Sequence, residues 1–123
     1  MTKNTNVVGD IQAVLQLFGK YQFCLDTEEA LKNQMAEVLT ANAVPFEREF
    51  FLDPKNKPDF MVYGCAVEVK VKGSAKAIYR QCLRYCEFPA VQGLVLVTNK
   101  SLGFPQELHG KPAYVVNLGK SWL

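Results

Sequence analysis

Apolar residues recur along this chain with two different periods, and the switch between them marks out its elements. Within residues 9–20, Ile11, Val14, Leu15 and Phe18 fall at i, i+3, i+4 and i+7, which predicts a short amphipathic helix. A second helix is predicted over about 26–41, with Leu31, Met35, Val38 and Leu39 as its buried stripe. Asp26, followed three residues on by Glu29, has the form of a capping box at its start. After Pro45 the period falls to two: residues 46–52 alternate roughly and predict a strand, and Asp53-Pro54-Lys55-Asn56-Lys57-Pro58 reads as a turn. Residues 60–63 and 66–71 are β-prone runs separated by Gly64-Cys65, a hairpin signal. On the second run Val67, Val69 and Val71 share one face, while Ala66, Glu68, Lys70 and Lys72 share the other. A helix over 75–87 follows, with Ile78, Cys82 and Tyr85 at helical spacing. Residues 93–97 are almost wholly apolar, as in a strand covered on both faces, and 113–118 form a last strand. The order α-α-β-β-β-α-β-β is that of an α/β domain, a mixed sheet with helices packed on it.

Composition agrees with a single globular domain over 1–123: the hydrophobic fraction is 49% and the charged fraction 21%. The sequence shows no repeat and no internal linker. No apolar run approaches the roughly 20 residues that span a bilayer, and the opening residues lack the apolar core of a signal peptide. A protein with no membrane role, in the cytoplasm of a bacterial cell or a phage-infected host, is expected. Cys24, Cys65, Cys82 and Cys86 have neither CxxC nor zinc-finger spacing, and His109 is the only histidine, so four reduced thiols are expected rather than a zinc site. No role is assigned to His109 or to Trp122.

The net charge of +2 conceals a division. Residues 1–54 carry four cations against eight acids, net −4, whereas residues 55–84 carry seven cations against two acids, net +5. The two acids inside the basic block are Asp59 and Glu68. A block of this kind suits a polyanion, since each lysine or arginine laid on a phosphate releases condensed counterions.

Pro58-Asp59, followed after the hairpin by Glu68-Val69-Lys70, is the informative constellation. Glu68 and Lys70 are two apart on a strand and project from one face. Asp59 opens the preceding strand, and a hairpin whose strands diverge slightly brings its carboxylate beside that of Glu68. Two close carboxylates repel unless a cation sits between them, the arrangement a hard divalent ion requires. A lysine beside them can orient a water or neutralise charge that develops on a phosphate. Glu-x-Lys alone is commonly an exposed ion pair worth little; the upstream Pro-Asp, the turn and the valines that fix the face give it weight.

With these residues the chain resembles the PD-(D/E)xK nuclease superfamily. The resemblance implies a restriction-endonuclease-like α-β-β-β-α-β core over about 26–98, with an extra N-terminal helix and C-terminal strand. It implies that Asp59 and Glu68 bind Mg2+ or Mn2+, that the Val69 carbonyl is a further ligand, and that Lys70 assists the attacking water. Members also place a glutamate on the helix before the strands. Glu28 and Glu29 both stand there; Glu28 lies on the stripe of Leu31 and is the expected catalytic glutamate, while Glu29 suits the capping box. Gln81-Cys82-Leu83-Arg84-Tyr85 resembles the Q-x-x-x-Y element of RecB-like members, in which both side chains share a helix face and reach a phosphate or nucleotide. Lys76, Arg80 and Arg84, at i, i+4 and i+8, with Lys72 upstream, form a candidate DNA-binding stripe. The implied partner is DNA, with a homodimer possible as in junction resolvases. The implied activity is a junction- or flap-directed endonuclease of repair or recombination, compact like VRR-type nucleases. The competing expectation is a nuclease fold that has lost catalysis and only binds nucleic acid or protein.

Overall fold

In the computed structural model, residues 3–23 and 26–118 are described, so Cys24 and Trp122 lie outside the described residues. Three helices and six strands follow in the order α1 (Lys3–Lys20), α2 (Glu28–Ala41), β1 (Glu47–Arg48), β2 (Phe60–Val62), β3 (Cys65–Lys70), α3 (Ala75–Tyr85), β4 (Gly93–Thr98), β5 (Glu107–Leu108) and β6 (Lys111–Asn117). The strands form one mixed sheet in the order β1-β2-β3-β4-β6-β5. The β1-β2-β3 meander is antiparallel, β3-β4 and β4-β6 are parallel, and β5 returns antiparallel on β6.

Strand parity divides the core in two. Val67 and Val69 of β3, with Val95 and Val97 of β4, pack under Ile11, Val14 and Phe18 of α1 and Leu31, Met35 and Leu39 of α2. The alternate residues Ala66, Leu94 and Leu96 pack under Ile78, Cys82 and Tyr85 of α3. β4 is buried along its whole length, as its unbroken apolar run requires. Glu68 belongs by parity to the α3 layer, an acid among apolar neighbours. Cys65, Cys82 and Cys86 are free and buried, and burial pushes the thiols of Cys65 and Cys82 up to about 12, which leaves them unreactive. Among the described residues no helix is long and apolar enough to cross a membrane.

Several boundaries depart from the expected ones. α1 begins at Lys3 rather than at 9. α2 is capped by Thr27, whose hydroxyl accepts from Ala30 N at 3.0 Å, so Asp26 is not the cap and Glu29 not its box partner. The β2-β3 turn is Tyr63-Gly64 rather than Gly64-Cys65. Both turn residues have positive φ, 50° and 79°, the backbone of a two-residue I′ turn, and Cys65 already pairs with Val62. The strand expected over 46–52 stops at Arg48, because Glu49 turns left-handed with φ 57°. β5, not foreseen, is a two-residue pairing.

Candidate functional site

Asp59 and Glu68 are brought together by the register of the meander. Phe60 pairs with Val67, so one step back along the same antiparallel ladder Asp59 stands opposite Glu68, and the two side chains share the α3 face. The ladder does not continue. At the next step Val69 faces Pro58, which has no N–H to give, and the Asp59 carboxylate takes over, its Oδ2 accepting from Val69 N at 2.8 Å. Residue 69 directs its carbonyl to the same side as its N–H. The Pro-Asp dipeptide therefore opens the sheet at this point and leaves a carbonyl beside two acids.

Glu68 is only 3% exposed, and each of its oxygens has partners. Oε1 accepts from the Tyr85 hydroxyl at 3.0 Å and from Asp59 N at 3.3 Å, and Oε2 lies 3.3 Å from Lys70 Nζ. Gln81 Nε2 donates to the Tyr85 oxygen at 2.9 Å, leaving the hydroxyl proton for Glu68, with the Lys57 carbonyl at 3.3 Å as its other acceptor. Burial and the facing Asp59 push the Glu68 carboxyl up to about 7, against the pull of Lys70 and Tyr85. Burial raises the Asp59 carboxyl too, partly offset by the Val69 N–H and by Lys32.

Lys32, not singled out from the sequence, completes the group. It projects from α2 with its Nζ 3.4 Å from Asp59 Oδ1 and 3.4 Å from Glu29 Oε1. Burial works against its charge, yet Asp59 and Glu29 hold its pKa above the usual lysine value. Each acid of the pair thus has one ammonium: Lys32 for Asp59, Lys70 for Glu68. The sequence signal was available in part, since Lys32 lies four residues after Glu28 and shares its helix face.

The remaining expected residues fall into two groups. Glu28 reaches the C-terminal end of β3, where its Oε2 accepts from Val71 N at 2.8 Å; Glu29 is largely exposed and pairs with Arg48 at 3.0 Å. Glu28 therefore makes its bond at Val71 and none to the acid pair. Lys72, Lys76, Arg80 and Arg84 are exposed, as a surface stripe must be, and Arg84 Nε donates to Asn56 Oδ1 at 3.4 Å. Tyr85, expected at the nucleic-acid surface, is instead 1% exposed and holds Glu68, with Gln81 behind it. Its spacing with Ile78 and Cys82 had placed it on the apolar stripe of α3.

Among the described residues no three histidine, cysteine, aspartate or glutamate side chains gather as a closed metal cage. Two opposed carboxylates and a carbonyl form a partial oxygen shell, the donor type of magnesium or manganese, which keep several waters when bound to protein. The set does not suit a structural zinc ion. Models of known protein families, curated proteins and solved structures were compared with this chain, and none matches.

Proposed function

We propose that this protein is a divalent-metal-dependent nuclease that hydrolyses phosphodiester bonds in DNA, with a junction or flap as its preferred substrate. The reading is carried by one observation: Asp59 and Glu68 face each other across the opened end of the β2-β3 ladder, the first half-buried and the second buried, with a lysine at each. A fold gains nothing in stability from two acids so placed, because their charges repel and lose water together. Such expense is characteristic of sites that handle a cation or a reacting group.

In this reading Asp59, Glu68 and the Val69 carbonyl hold Mg2+ or Mn2+. The ion supplies Lewis-acid polarisation of a phosphate oxygen and a more acidic bound water. Tyr85 and Gln81 fix the Glu68 carboxylate, so its oxygens do not have to be ordered when substrate arrives. Lys70 lies on the same strand face as Glu68 and neutralises charge that develops on the phosphate, or orients the water that attacks it. Lys32 holds Asp59 from the helix side, and Glu28 closes the edge at Val71.

The test is incubation with single-stranded, duplex, flap and four-way DNA in magnesium, manganese or EDTA. Wild-type protein is expected to cut at least one of these with either metal and none in EDTA. Asp59→Asn and Glu68→Gln should each retain the fold by circular dichroism and fall below about 1% of wild-type cleavage. Wild type should show a manganese-dependent rise in melting temperature, and both variants should lack it. Cleavage by both variants, or in excess EDTA, defeats the metal mechanism. Metal-independent DNA binding with no cleavage by wild type supports the binding-module reading instead.

A further inference from the structure

The segment between β1 and β2 carries a side chain for which neither the core nor the acid pair has a use. Phe51 is 63% exposed, against 38–39% for the other large hydrophobics that reach solvent among the described residues. A single exposed phenylalanine is ordinary by itself. This one is set on a braced support beside the motif. At its start Glu49 N donates to the Asp59 carbonyl at 2.8 Å. In its middle Leu52 N bonds to the Asn56 carbonyl at 2.8 Å, and Asp53 Oδ1 accepts from Asn56 N at 2.7 Å. At its end the Lys57 carbonyl meets the Tyr85 hydroxyl, immediately before the buried Pro58. Lys57 returns its ammonium to lie over the Phe51 ring, 5.2 Å from the centroid.

We infer that Phe51 and Lys57 form a stacking subsite for an unpaired nucleobase beside the Asp59–Glu68 pair, which directs the protein to DNA with single-stranded character. The inference rests on the nuclease reading and names its substrate class. With Lys57 over one face and most of the ring in solvent, a flat partner has the opposite face to stack on. Aromatic side chains take any base in this way, because every base has a π-face, so the subsite reads unpairedness and not sequence. The brace means that little freedom is lost when the base docks. Charge points to a nucleic acid over an apolar protein surface. The acids of the segment are already engaged, Glu49 by Lys57 at 3.5 Å and Asp53 by its own turn, whereas the exposed cations of α3 end at Arg84, which touches Asn56 of the same segment. A phosphate backbone that follows α3 is thereby delivered to Phe51.

The experiment is fluorescence anisotropy of wild type, Phe51→Ala and Phe51→Trp with a labelled single strand and a blunt duplex of equal length, in EDTA so that nothing is cut. Phe51→Ala should weaken single-strand binding by between about fivefold and about a hundredfold, shift duplex binding by less than about twofold, and leave the circular dichroism spectrum unchanged. Phe51→Trp should bind the single strand at least as tightly as wild type. Equal single-strand affinity of Phe51→Ala and wild type overturns the subsite, as does equal weakening on strand and duplex. Absence of any nucleic-acid binding by wild type also overturns it and leaves Phe51 to a protein contact. The outcome is separable from that of the cleavage assay, since a stacking loss in a protein that cuts nothing upholds the subsite while the nuclease reading fails.

Discussion

Glu68 is an acid whose charge is costly where it stands, and the cost has a sign that can be measured. Its carboxyl is raised from 4.5 to about 7 by burial and by Asp59, so between those values the folded protein binds a proton that the unfolded chain has released. The stabilisation is fully present below pH 4.5 and is lost as pH rises through 7; Asp59, also raised, adds in the same direction. Lys32 and Asp53 titrate outside this window, one raised above 10.5 and the other lowered below 3.8. Urea melts in EDTA should therefore show wild type less stable at pH 8 than at pH 5 by on the order of 3 kcal/mol, with Glu68→Gln losing less over that range and keeping only what Asp59 contributes. Equal slopes for the two proteins would mean that Glu68 ionises normally. That Asp59 and Glu68 meet was legible in strand parity and in the Pro-Asp that opens the second strand. Lys32 was legible only in part: its spacing from Glu28 records the helix face, but its partner Asp59 is chosen by how α2 docks on the sheet. Tyr85 was legible as buried from its spacing, but the Q-x-x-x-Y resemblance drew it toward the surface.

At the scale of elements, the sequence signals worked where a period ran long and failed where one residue with positive φ set the boundary. β3 and β4 have six residues each and an unambiguous parity. β1 was overextended, since nothing in Phe46-Glu47-Arg48-Glu49-Phe50 marks Glu49 as left-handed. β6 was expected, but its hairpin partner β5 was missed: His109-Gly110, with φ 51° and 76°, repeats the X-Gly turn of Tyr63-Gly64, but two residues of β5 are too few to show a period. The end of α2 gives a test of the same physics. Val44 N bonds to Leu39 O at 2.9 Å and Ala43 N to Thr40 O at 3.1 Å, a Schellman closure in which Ala43 holds φ 58° where glycine is usual. Ala43 is exposed, so its methyl contributes strain without core contact. Ala43→Gly should stabilise the protein by up to about 1 kcal/mol despite glycine's greater freedom in the unfolded chain, and raise the melting temperature by about 4 °C. A lower melting temperature in thermal denaturation would show that α2 closes by another route.

For the molecule as a whole, the division of charge along the chain becomes a division in space. The layer formed by α1 and α2 includes Asp10, Glu28, Glu29 and Glu37, while the opposite layer presents Lys76, Arg80 and Arg84 on the exposed side of α3. Successive members of that stripe are four residues apart and so advance about 40° around the helix, a gentle wrap that a phosphate backbone can follow. The stripe ends at Arg84 beside Asn56, on the segment that leads through Lys57 to Asp59. None of these three cations has an acid partner within ion-pair distance among the described residues, so each is free to displace counterions from a nucleic acid. The triple variant Lys76→Ala, Arg80→Ala, Arg84→Ala should bind DNA more weakly at every sequence. Its plot of log affinity against log salt should be shallower than that of wild type by up to about 2.7, from about 0.9 per phosphate contact. Because the three side chains are exposed and make no core contact, the melting temperature should change little, which separates loss of binding from loss of fold. An unchanged slope would assign the stripe to solvent alone and move the path of the DNA to Lys55, Lys57 and Lys72.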